Sequence, residues 1–251
     1  MGSPAASAGM PRLVGTMASR GTLYLIPVPL ADSVRGFDTE LSVLVARITH
    51  WIVETPKVAR AQLRLLCPDV DLNSLAMDSW SKHGGNDASA LLKACIDGND
   101  MGLVSDAGAP GMADPGAEVV AKAHELGITV VPWPGPSSLL LGLMASGLNG
   151  QQFSFHGYLP HDAGARKSLV ARMDREAAAG SSHWFIETPY RNAKLFAELI
   201  QALSPSTRLF VGVNLSAPDE WIACHSVVQW RSTGVPSQIE AKSPAIWGIG
   251  R

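Results

Sequence analysis

The sequence predicts an α/β chain in two halves: a mostly parallel sheet with helices on both faces, then a mixed α/β domain. Three observations predict it. Short apolar runs of strand length alternate with helical segments through the first half. Loops rich in Gly, Pro and Ser follow three of those strands. In the second half, several strands follow one another with no helix between them.

Thr22-Leu23-Tyr24-Leu25-Ile26 is a continuous apolar run, as expected of a strand buried on both faces. Pro27-Val28-Pro29 removes backbone donors and ends it. A helix over Phe37 to Arg47, a strand at Trp51-Ile52-Val53 and a helix from Pro56 to Cys67 follow. Asp87 is placed to cap a helix through Asp97, with Gly98 as its terminator. Then come a strand at Met101 to Val104, a long loop, a helix over Ala117 to Leu126 and a strand at Ile128 to Val131. Ser137 or Ser138 is placed to cap a helix over Leu139 to Ser146. Gly147-Leu148-Asn149-Gly150 interrupts the pattern, which gives a leader or tag at 1–20 and domains at 21–149 and 150–251. The second half reads as strands at Phe153 to His156, His183 to Ile186, Arg208 to Val213, Trp221 to Gln229 and Ala245 to Ile249. Helices are expected over Ala163 to Ala179 and Tyr190 to Leu203.

Of the 251 residues, 46% are hydrophobic and 17% charged, a globular composition with ample material for a core. A net charge of -2 gives no global attraction for nucleic acid, so any RNA contact requires a local basic patch. Cys67, Cys95 and Cys224 form no CxxC and read as buried thiols of a reducing compartment. No stretch approaches the ~18–20 apolar residues of a membrane span. The leader lacks the continuous apolar core of a signal peptide, so the chain is expected in the cytoplasm. The histidines form no HxH or HxxxH pair, and no metal site is expected.

The segment Ser105-Asp106-Ala107-Gly108-Ala109-Pro110-Gly111-Met112-Ala113-Asp114-Pro115-Gly116 carries the most information. Strand-to-helix loops usually run ~2–6 residues, and this one is far longer. Its lack of bulk lets a ligand approach the main chain, and it leaves a strand at the sheet edge where α/β folds bind ligands. Pro27-Val28-Pro29 and Pro134-Gly135-Pro136-Ser137-Ser138 share its character, and each follows a candidate parallel strand, which places all three on one edge of the sheet. Together the three loops suit a small polar ligand with a carboxylate or ribose. None of them is a GxGxxG fingerprint or a GxxxxGK[ST] phosphate loop.

These loops resemble those of the tetrapyrrole methylase superfamily, and within it the branch of ribosomal RNA small-subunit methyltransferase I. Gly21-Thr22-Leu23-Tyr24 leading to Pro29, the Ser105 to Gly116 loop, and Pro134-Gly135-Pro136-Ser137 carry the likeness. Phe155-His156-Gly157-Tyr158-Leu159-Pro160 and Glu187-Thr188-Pro189-Tyr190-Arg191 extend it into the second half. The resemblance implies a two-domain methyltransferase, usually a homodimer, that binds S-adenosylmethionine between its domains. It places Pro29, Ala107, Gly108, Ala109, Met112, Ser137 and Ser138 at the cofactor, together with Glu187 and Ala245. Members of the ribosomal branch methylate a cytidine ribose 2'-hydroxyl, which implies ribosomal RNA or the small subunit as a partner. Their cousins methylate porphyrin or corrin rings.

A hydroxyl acceptor also needs a base within hydrogen-bond reach. Asp106 is the first candidate, with Glu54 and Glu187 in reserve; the alternative for Asp106 is an acid that only bonds loop amides. One departure bears on the substrate. Where the ribosomal branch carries Glu-Asp-Thr-Arg after its second strand, this chain has Glu54-Thr55-Pro56-Lys57. The second acid is gone, and lysine loses the flat guanidinium fork. The chain also ends soon after its last strand, without the further C-terminal segment of that branch. A tetrapyrrole or other small-molecule acceptor, and a non-catalytic cofactor-binding relative, are therefore the alternatives.

Lys57, Arg60 and Arg64 make one basic helical face, read as a solvated surface or an RNA-facing patch. Arg166, Lys167, Arg172 and Arg175 form a second basic run with the same two readings. Trp51, Trp184 and Trp247 read as core residues. Trp80, placed in a loop with Ser81 and Lys82, is the one tryptophan read as either packing or stacking on a base.

Overall fold

A computed structural model of the chain describes residues 19–80, 87–112 and 116–251. The expectations on the leader up to residue 18, on Ser81 and Lys82, and on Asp114 and Pro115 lie outside the described residues. The first half runs β1 (Thr22–Leu25), α1 (Thr39–Arg47), β2 (His50–Val53), α2 (Pro56–Leu66), β3 (Ala76–Ser79), α3 (Ala88–Leu91), α4 (Lys93–Ile96), β4 (Met101–Val104), α5 (Ala117–Glu125), β5 (Thr129–Pro132) and α6 (Ser138–Ser146). The second half runs β6 (Phe153–Tyr158), α7 (Ala163–Ala178), β7 (Ser182–Glu187), a 3-10 turn at Pro189–Arg191, α8 (Asn192–Ala202), β8 (Arg208–Val213), β9 (Trp221–Ser226), α9 (Val227–Thr233), α10 (Ser237–Glu240) and β10 (Ala245–Gly250).

The first sheet has strand order β3-β2-β4-β1-β5, and every pairing in it is parallel. Its apolar strands are sandwiched as their sequences require. Trp51, Val53 and Ile26 pack against Leu41, Val45, Ala59 and Leu63 of α1 and α2 on one face. Leu23, Ile52 and Leu103 pack against Leu92, Cys95, Val119 and Ala123 of α3 to α5 on the other. With all strands parallel, the loops after β1, β2, β4 and β5 emerge along one edge.

The second sheet is mixed, with order β6-β7-β10-β8-β9. β6 and β7 run parallel, and the other neighbours are antiparallel. One face holds Phe185, Trp247 and Val211 under α7, α8 and α9. The other face meets α6: a Cβ on Gly142 would lie 3.1 Å from both Ile246 and Trp184, so only glycine lets this helix sit so close. Trp51, Trp184 and Trp247 are fully buried, as read from the sequence.

Three local expectations need correction, and one open reading is resolved. β3 was not anticipated, because Ala-Met-Asp-Ser at an exposed sheet edge lacks an apolar run. Trp80 follows β3 directly and packs against the core beneath α3 to α5, which settles its packing role. The expected helix through Asp97 breaks at Leu92, although Asp87 caps its start as anticipated. Trp221 to Gln229 is not one strand. Ser226 and Gln229 form a reciprocal capping box that starts α9 and stops β9 at Ser226. The cysteines form no disulfide, and burial pushes the Cys95 thiol up to about 11, as befits an inert core residue.

Candidate functional site

The loops after β1 and β4 are tied to each other by main chain. Val28 and Gly108 exchange both backbone hydrogen bonds, at 2.9 and 3.0 Å, in an isolated antiparallel bridge. Gly108 holds φ at +72°, and a Cβ there would come within 3.0 Å of Leu30. No side chain fits that position without strain. The loop after β5 closes the same corner, since the Pro136 carbonyl lies 3.5 Å from where that Cβ would be.

Ser137 is the N-cap of α6, but its hydroxyl does not cap; it points to the Met112 sulfur at 3.9 Å. The first intrahelical bond runs from the Leu141 amide to Ser137. The amides of the first turn therefore have no helical partner. That is the arrangement in which a helix amino terminus receives an anion.

These loops line a compartment of about 440 Å³, bounded by Ala107, Gly108, Ala109, Met112, Ser137 and Ser138 and closed across the gap by Phe155 and Ile186 of the second sheet. It opens into a larger cleft of about 950 Å³ that shares Leu30, Ala107, Ser138 and Ile186. Glu187 and Ala245 lie in the wall of this larger cleft. Thus eight of the nine residues expected at the cofactor line one continuous cleft between the two sheets. Pro29 is buried directly behind Leu30 and lines neither compartment.

Glu187 is 4% exposed at the end of β7. Its Oε1 accepts the Thr188 amide at 2.8 Å, whereas Oε2 accepts no well-directed hydrogen bond. Oε2 lies 3.3 Å from Arg191 Nη2, an ion contact whose angle is poor. Arg191 donates through Nη1 to His161 Nδ1 at 2.6 Å.

Asp106 and Glu54 sit elsewhere, lining neither compartment. Thr55 donates to Asp106 twice, from its amide to Oδ1 at 3.1 Å and from its hydroxyl to Oδ2 at 2.8 Å. The Asp106 amide in turn donates to Glu54 Oε2 at 3.3 Å. These acids brace the loop after β4 against the loop after β2. The threonine that departs from the Glu-Asp-Thr-Arg pattern thus has a defined partner.

Lys57, Arg60 and Arg64 are exposed on α2, away from the cleft lining. Of the second basic run, Arg166 is 5% exposed and grips Glu198 through two bonds of 2.8 and 3.1 Å. Its Nη1 also donates to the carbonyls of Pro160 and His161. That guanidinium is an internal brace rather than a substrate contact.

Sequence reasoning missed a part of the cleft wall. Asn214, Leu215 and Ala217 line it from the loop after β8, where Asn214 and Ser216 take positive φ. The available signal was the turn-prone Asn-Leu-Ser-Ala-Pro run. Among the described residues, no group of His, Cys, Asp and Glu could hold a metal, and no helix is long and apolar enough to cross a membrane.

Known proteins share this fold. The Tetrapyrrole (Corrin/Porphyrin) Methylases profile matches residues 51–226. Ribosomal RNA small subunit methyltransferase I of Pseudomonas aeruginosa is 36% identical over 218 residues, covering 81% of this chain and 70% of that protein. The enzyme of the same name from Mesorhizobium japonicum is 31% identical, covering 77% of this chain; the match spans 63% of that relative's length. Among solved structures, the methyltransferase CobJ matches with a TM-score of 0.60 at 16% identity, over 92% of this chain and 94% of its own. Uroporphyrin-III-C-methyltransferase from Thermus thermophilus matches with a TM-score of 0.55 at 18% identity, over 92% and 94% of the two chains. At such identities these two likenesses establish the fold. The profile and the curated relatives establish the kinship: this chain belongs to the tetrapyrrole (corrin/porphyrin) methylase family.

Proposed function

We propose that this chain is an S-adenosylmethionine-dependent methyltransferase that acts on RNA of the small ribosomal subunit, at a cytidine ribose 2'-hydroxyl. The observation that carries the proposal is the cleft itself, where the Gly108 loop and the α6 amino terminus face Glu187 across the two sheets. Relatives named for ribosomal RNA methylation at 31 and 36% identity support the acceptor class.

The residues present fit the cofactor. The cradle at Gly108 is one that a Cβ would fill, and the first α6 amides suit its carboxylate. When bound, the sulfonium supplies a methyl group already activated for transfer. The protein's task is then alignment, which in favourable cases is worth ~7–11 kcal/mol. Ala107, Gly108 and Ser138 position the donor, and the apolar side chains of Leu30 and Ile186 keep water from the meeting point of the compartments. Glu187 is the carboxylate on the cleft wall, and we assign to it the removal of the acceptor hydroxyl proton. Asp106 and Glu54 act one step back, holding the loop that presents Ala107 and Gly108. The reading extends, as the resemblance implies, to a cytoplasmic homodimer with its domains divided at 147–150.

The test supplies labelled S-adenosylmethionine and small ribosomal subunits from a strain lacking this modification. Label in the RNA, mapped to a cytidine ribose, is the expected result. Cofactor binding without label in RNA, or transfer to a porphyrin precursor instead, would overturn the proposal.

A further inference from the structure

The mouth of the cleft carries two exposed tyrosines that neither the fold nor cofactor binding explains. β6 begins with Phe153 and Phe155 on one face, so strict alternation would turn Tyr158 to the opposite face. The pairing of β6 with β7 shifts register between Phe155 and Tyr158, and Gly157 sits there at φ +63°. The irregularity brings Tyr158 to the cleft side, where Phe155 lines the inner compartment and Tyr158 the outer one. Such bulges re-aim side chains beside active sites. Here the result is a tyrosine 54% exposed in the cleft wall.

Tyr190 stands on the same wall, just beyond the end of the paired strand β7. It follows Pro189, which lines the outer cleft, and a 3-10 turn holds it at 81% exposure. Lys242 Nζ lies over its ring, 5.5 Å from the centroid. Lys242 itself is held at φ +56°, an uncommon conformation for a lysine, two residues before Pro244 of the cleft wall. Exposed aromatic faces with a cation beside them suit an unstacked base and its phosphate.

We propose that Tyr158, Tyr190 and Lys242 form a platform that stacks an unpaired base of the acceptor RNA and so presents the adjoining ribose to the cleft. The proposal rests on the RNA methyltransferase reading above. It moves base recognition from Trp80, which is partly buried and packs against the core of the first sheet, to the wall of the cleft.

The test is steady-state methyl transfer to small ribosomal subunits by the wild type, Tyr190→Ala, Tyr190→Phe and Lys242→Ala, with cofactor affinity measured in parallel. Tyr190→Ala should raise KM for the RNA substrate about tenfold to 100-fold while kcat and the cofactor Kd hold, since loss of one stacked base has that effect. Tyr190→Phe should restore wild-type KM, because stacking uses the ring face. Lys242→Ala should raise KM and flatten its salt dependence. A wild-type KM for Tyr190→Ala, in an enzyme that does methylate RNA, would overturn the platform and leave the functional reading standing. Cofactor binding with no transfer to RNA by the wild type, or a Tyr190-dependent KM for a tetrapyrrole instead, would overturn both.

Discussion

The first sheet builds its wall of the cleft from main chain, and the second builds its wall from side chains. On the first, Ala107, Gly108, Ala109 and the α6 amides offer backbone and almost no bulk. On the second, Glu187, Tyr158 and Ile186 project from β6 and β7. A backbone wall recognises a ligand common to a whole family, because amides and glycine cradles leave little for sequence drift to alter. A side-chain wall can be rewritten one residue at a time, so the proposal places the choice of acceptor there. The fold itself is kept at 16% identity.

The sharpest way to break this comparison is Glu187→Gln. The substitution keeps shape and the bond to the Thr188 amide but removes the proposed base. It should lower kcat by about 10²–10⁴-fold with cofactor affinity retained, as expected for loss of a general base; an unaltered kcat would return the role to another group. On the opposite wall, Gly108→Val should lower cofactor affinity by at least about 100-fold, roughly 2.7 kcal/mol. It should also cost about 1–2 kcal/mol of stability from the left-handed conformation alone, read as a lowered midpoint in chemical denaturation.

Arg166→Met asks whether the side-chain wall needs its buried brace. It removes the partner of Glu198 and leaves two carbonyls bare, so the expected loss is about 2–3 kcal/mol in urea denaturation. That figure sits below the usual cost of breaking a buried pair because Glu198 is partly exposed. An unchanged midpoint would make the pair ornamental.

The smallest effect concerns pH. His156 Nε2 and His183 Nδ1 meet at 3.1 Å beside the β6 irregularity. Burial pushes both below the usual 6.5; His156 is lowered further by His183, while Glu176 partly opposes the shift at His183. With folded values depressed, their contribution is fully present above pH 6.5 and is lost as pH falls through the lowered values. Stability should therefore decline on acidification below that point, and His183→Gln should flatten the decline. A slope identical in the variant would remove the pair from the account.

How much could be read in advance follows the same division. The loops of the backbone wall were legible because glycine, proline and small residues after apolar strands have few other uses, whereas the place of Gly108 and Ser137 at a cofactor came from the family resemblance. The parallel strands were legible from their double-sided burial. β3 escaped because an exposed edge strand carries no apolar signature. The helix at Val227 escaped because its Val-Val start reads as strand, and only the Ser226–Gln229 capping box turns it. Among the side chains, Asp106 looked catalytic from its place in the loop, yet its oxygens are held by Thr55, fifty-one positions away in sequence. The His156–His183 pair and the re-aimed Tyr158 depend on register between strands, which no local pattern specifies.

The division between the walls is tested most directly by calorimetric titration with S-adenosylmethionine of the wild type, Gly108→Val and Tyr190→Ala together. The account predicts affinity in the roughly micromolar-to-millimolar range usual for enzyme substrates in the wild type, the same value for Tyr190→Ala, and no measurable binding by folded Gly108→Val. Undiminished binding by Gly108→Val, or binding lost in Tyr190→Ala, would contradict it.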